Sequence, residues 1–153
     1  MIIMDINRND VISSALAGVI GTLAFGGFFV AIGNVGVIKG AMPALYGLDP
    51  SLAVGGVIHL IHGAILGIIY TVLVSGAGFE DYLTDIKKAL APGFGYGVLT
   101  TALPSLLMPV WLSTVGFPQA PPFPNFQLMG LIGHIIYGVV LALAYPLIRN
   151  RLE

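Results

Sequence analysis

Residues 52–75 read LAVGGVIHLIHGAILGIIYTVLVS, twenty-four positions without a charged side chain and with two histidines, His59 and His62. A run of this length and composition spans the roughly 30 Å hydrocarbon core of a bilayer, which takes about 20 helical residues. Lipid offers nothing to pair an open strand edge, so the run is expected to be a helix. Ser51, after Asp49-Pro50, supplies its N-cap. Three further apolar stretches lie near 11–33, 88–112 and 128–148, so the fold class expected for residues 1–153 is all-α, a single transmembrane domain built as a four-helix bundle. Asn9-Asp10 is expected to cap the first span, and Arg149-Asn150-Arg151 closes the last. The first run follows a short polar stretch containing Arg8. It is longer than a signal-peptide core and lacks a small-x-small cleavage site, so it is expected to be retained.

Composition agrees with this reading. Of the 153 residues, 57% are hydrophobic and 8% charged, against about 25% charged in soluble domains. A net charge of −1 gives no basic surface for nucleic acid. The absence of cysteine excludes disulfides, thiolate metal sites and a cysteine nucleophile. Cations set the orientation: Arg8, Lys87, Lys88, Arg149 and Arg151 fall on one side and Lys39 alone on the other. The expectation is therefore a multi-pass protein of the cell membrane with both termini and the 76–87 loop in the cytoplasm. The loops near 34–51 and 113–127 are apolar and turn-rich. They are expected to lie on the membrane surface or against a partner, with Tyr46, Trp111, Phe117, Phe123 and Phe126 at the interface.

A shift of 75 residues lays the second span on the fourth. Gly55, His59, Ile61, Gly63, Leu66 and Tyr70 then match Gly130, His134, Ile136, Gly138, Leu141 and Tyr145, and His62 falls opposite Tyr137. For the first and third spans, Ala15-Leu16-Ala17 resembles Ala89-Leu90-Ala91 and Met42-Pro43 resembles Met108-Pro109, but no single shift aligns both. The expectation is two parallel repeats of a helical hairpin, about 10–76 and 87–149, related by an axis along the membrane normal. At 100° per residue, His59, His62, Gly63, Leu66 and Tyr70 share one face, as do His134, Tyr137, Gly138, Leu141 and Tyr145. The glycines permit close helix approach, so the two faces are expected to meet. His59 and His134 would lie about two turns inside the boundary, about 10–12 Å deep.

Several chemistries suit such histidines. The first is structural: a neutral imidazole bonded across helices, with His62 and Tyr137 as one pair and Tyr70, Tyr137 and Tyr145 as a polar cluster. The second is a b-type haem ligated by His59 and His134, with Gly63 and Gly138 leaving room for the porphyrin. Against it, only Lys39 could meet propionates on that side. The third is copper held by His59, His62 and His134, with Met42, Met108 or Met129 as a soft ligand. No H-E-x-x-H pattern is present, and no Ser-His-acid set can be assembled, because the acidic residues sit at or beyond span boundaries. Glycines such as Gly18, Gly21, Gly93, Gly95 and Gly97 belong to helix packing rather than to nucleotide loops. Pro92, Pro104 and Pro109 are expected to kink the third span and free carbonyls within it.

Met-Pro in both outer loops, Pro-Phe-Pro-Asn-Phe (122–126) and Gly-His-Ile-Ile-Tyr-Gly (133–138) resemble uncharacterised small four-helix membrane proteins of archaea. That resemblance implies an archaeal, respiratory setting and supplies no catalytic residue. The functional expectation is a non-catalytic subunit or scaffold of a larger membrane complex, in contact with lipid and with other membrane subunits or copies of itself. The alternatives are a haem- or copper-binding electron carrier using His59 and His134, and an oligomeric transporter of small solutes.

Overall fold

The computed structural model describes residues 6–152, and among them the chain is helical with no strand. Four long helices dominate: α1 (Arg8–Ala31), α2 (Leu52–Gly76), α3 (Leu90–Thr114) and α4 (Leu128–Leu152). Each is long and apolar enough to cross a membrane. The expected spans near 11–33, 52–75, 88–112 and 128–148 are thus found with shifted ends.

The cap of α1 is Asn7, not Asn9-Asp10 as its sequence suggested. The Asn7 side chain accepts from the Asn9 and Asp10 N–H groups, while Asp10 Oδ2 accepts from the Asn7 N–H at 3.0 Å. This reciprocal box satisfies donors that a helix start leaves unpaired. Ser51 caps α2 as expected, accepting from the Val54 N–H. In α3, Pro104 lacks an N–H and lies in a wide π-type turn, Leu103–Leu107, after which the helix resumes at Met108. Pro92 falls in the first turn of α3, where a missing donor is harmless. Pro146 lies inside α4 without ending it.

Helix α1 packs along both α2 and α4, and α3 packs along α4, whereas α2 and α3 make no comparable backbone contact. The close crossings are made by glycine. On α1–α2, Gly18 lies against the Gly63 carbonyl, and Gly67 against that of Ser14. On α3–α4, a Cβ on Gly93 would stand 2.7 Å from Gly138 O and 3.2 Å from Val139 Cα. Adding 75 to Gly18, Gly63 and Ala64 gives Gly93, Gly138 and Val139, so one shift relates the two crossings. On α1–α4, Gly21 admits the backbone of Tyr137, with a Cβ there 2.8 Å from its carbonyl oxygen.

The end of the bundle that carries the chain termini is closed by a polar clasp. Asp10 Oδ1 accepts from Arg149 Nε at 2.6 Å and from Tyr145 OH at 3.0 Å, tying the start of α1 to the end of α4. One turn further in, Ser14 Oγ donates to the Asp10 carbonyl oxygen and lies 2.7 Å from Thr71 Oγ1. At the opposite end the loops fold back onto the helices. Ala41, Ala44 and Leu112 form a small core there, Trp111 Nε1 donates to the Leu45 carbonyl at 2.9 Å, and the Asn125 N–H donates to the Ser105 carbonyl. Phe117 is drawn into this core, while Tyr46, Trp111, Phe123 and Phe126 remain exposed.

Candidate ligand cavity at the loop end

The folded-back loops, the wide turn of α3 and the loop-side halves of α1, α2 and α4 enclose a cavity of about 930 Å³. Its wall is mainly apolar, and none of its described residues is Asp, Glu, Lys or Arg. Polar groups are few: the three histidines, Tyr46, Tyr137, Thr22, Thr101, Ser105 and several amides, among them Asn125 and Gln127. Such a composition, apolar with a few convergent polar atoms, is typical of small-molecule sites.

His59 and His134 both face this space and share a neighbour. The Phe25 ring meets His59 edge-on at 4.8 Å between centroids and His134 at 5.0 Å. Phe25 is held by stacking on Phe29 at 4.7 Å. His134 Nδ1 lies 2.8 Å from the Gly130 carbonyl oxygen. A carbonyl can only accept, so this nitrogen carries the proton, and in the neutral ring Nε2 is left as a bare acceptor. Among the described residues His59 has no hydrogen-bond partner. His62 is engaged elsewhere, its Nε2 2.6 Å from Tyr46 OH.

Three expected pairings are therefore redrawn. His62 does not bond Tyr137; the turn before α2 brings Tyr46 to it instead, and Tyr137 OH donates to the Gly63 carbonyl at 2.8 Å. Tyr70, Tyr137 and Tyr145 do not form one cluster, because Tyr145 belongs to the Asp10 clasp, and Tyr70 meets the Tyr96 ring at a tilt, 5.2 Å between centroids, with its hydroxyl unpartnered. His59, His62 and His134 are not gathered as a ligand set: among the described residues no three His, Cys, Asp or Glu side chains converge on one point. For a b-type haem on His59 and His134, the Phe25 ring that touches both imidazoles is the side chain that would have to make room.

Sequence reasoning missed Phe25 and Tyr96, and it read Asp10 as a cap without its link to Tyr145 and Arg149. Phe25 carried no signal in an apolar run. Tyr96, whose OH donates to the Leu66 carbonyl at 2.6 Å, was hidden because the first and third spans align poorly by identity.

The chain matches no protein-family model, no curated protein and no solved structure.

Proposed function

We propose that this chain is a multi-pass protein of the cell membrane, a four-helix bundle of two parallel hairpin repeats, that binds an apolar small molecule in its loop-end cavity. Four helices of spanning length support the membrane reading. The Gly18–Gly63 and Gly93–Gly138 crossings, related by one shift, support the duplication. The observation that carries the binding reading is the cavity: about 930 Å³, walled by all four helices, with His134 Nε2 and His59 unengaged by any of the described residues. Electron transfer through haem or copper is a weaker reading on the geometry of Phe25 and His62. The scaffold reading draws only on exposed apolar side chains, which lipid accounts for.

Protein purified in mild detergent and examined by native mass spectrometry is expected to carry one small apolar molecule per chain. Thr101→Phe, which fills part of the cavity wall, should release it while leaving the helical content intact. A wild-type protein that carries nothing and takes up no added hydrophobe would overturn the reading.

A further inference from the structure

The cavity reaches the flank of the bundle. Ile65 on α2 and Leu107 on α3 both line it and are 50% and 63% exposed, although both belong to helices of spanning length. Close backbone packing joins α1 to α2, α1 to α4 and α3 to α4, but α2 and α3 make none comparable among the described residues. The 75-residue shift explains why. Residue 96 is the counterpart of Gly21, and His62 the counterpart of Tyr137. Gly21 lets α4 come in against α1, whereas Tyr96 inserts a ring, buttressed by Tyr70 and anchored on the Leu66 carbonyl. A phenol where the other half has a hydrogen atom props α2 away from α3, and loopward of that prop lies the cavity.

Two features of the wall select the occupant. With no charged side chain among the described lining residues, an ionised head group would be buried without a counter-charge. His134, its Nδ1–H spent on Gly130, presents an acceptor, which a ligand satisfies only by donating a hydrogen bond. We infer that the cavity takes an uncharged amphipath with a hydroxyl head, admitted sideways from the bilayer between α2 and α3, its hydroxyl donating to His134 Nε2. This rests on the binding reading above.

Trp111 is the sole tryptophan and lines the cavity, so its emission reports occupancy. The full chain in lipid nanodiscs would be titrated with a brominated dodecanol, its methyl ether and the matching brominated dodecanoate. The alcohol should quench Trp111 saturably, the ether should bind about tenfold more weakly, as expected when a buried acceptor loses its partner, and the carboxylate more weakly still. His134→Phe should equalise alcohol and ether, and His134→Gln, which restores an acceptor, should recover the preference. Should either variant fail to fold, the three-probe comparison on the wild type decides. Equal affinities for alcohol and ether, or preference for the carboxylate, would overturn the assignment of the head group. Absence of saturable quenching by every probe would instead sink the cavity-binding reading itself. Ile65→Phe combined with Leu107→Phe should slow the onset of quenching several-fold, and an unchanged rate would overturn lateral entry.

Discussion

At Gly18 and Gly56 the same chemical change has opposite consequences. A Cβ at Gly18 meets the Gly63 carbonyl, which is backbone and cannot swing away, whereas a Cβ at Gly56 meets nothing within 4 Å. Gly18→Ala should therefore destabilise the folded protein by about 1–3 kcal/mol, the usual range for overpacking. Gly56→Ala should be neutral or stabilising by up to about 1 kcal/mol. Unfolding in mixed micelles with increasing dodecyl sulfate would compare the two, and equal effects would contradict the crossing. Asp10 and Arg149 invite a second test. Both side chains are largely buried, so Arg149→Met leaves a carboxylate without its counter-charge, held only by the Tyr145 OH and the Asn7 N–H, and should cost about 3 kcal/mol. Adding Asp10→Asn should recover much of that loss, and no recovery would show that Arg149 acts through other contacts. The histidines and the glycines of α2 and α4 were legible in the sequence as a repeated pattern. Their partners were not, because Phe25 and Asp10 lie on another helix and only the packing angle decides which side chain each imidazole or hydroxyl meets.

Among the helices, α2 and α4 were read with ends within a few residues, because each is a long uninterrupted apolar run with a cap or a basic end. Helix α3 was harder. Its prolines announced a distortion, but three of them stand in the span and only Pro104 lies within the wide turn. The turn leaves the Ser105 carbonyl to accept from the Asn125 N–H, so one distortion both widens the helix and anchors the following loop. The hydroxyl anchors between helices are individually modest. Tyr137→Phe and Tyr96→Phe each remove one bond to a backbone carbonyl and should cost about 0.6 kcal/mol. Tyr96→Gly should do something different in kind, letting α2 settle toward α3. Spin labels on cysteines placed at Ile61 and Leu99 of this cysteine-free chain should then report a shorter distance, and no shortening would refute the prop.

Viewed whole, four helices crossing a bilayer as proposed would put both termini on one side and the 32–51 and 115–127 loops on the other. A cysteine at Asp81 should react with an impermeant maleimide only when the cytoplasmic face is exposed, and one at Gln119 only from the outside. The reverse pattern would invert the orientation inferred from Lys and Arg. The bundle's overall form was legible from composition and length alone, whereas the unequal closure of its two halves depends on one residue, Tyr96, whose counterpart is a glycine. The helices have 24 or 25 residues each, about 36–38 Å at 1.5 Å per residue, and polar ends such as residues 8–10 and 149–151 take up the excess over roughly 30 Å of hydrocarbon. In a bilayer this would put the Asp10–Arg149–Tyr145 clasp near the head groups. A bilayer thinner than these apolar stretches would force the helices to tilt. The polar helix ends, more than the helix length, would thus fix the depth at which this bundle sits in a bilayer.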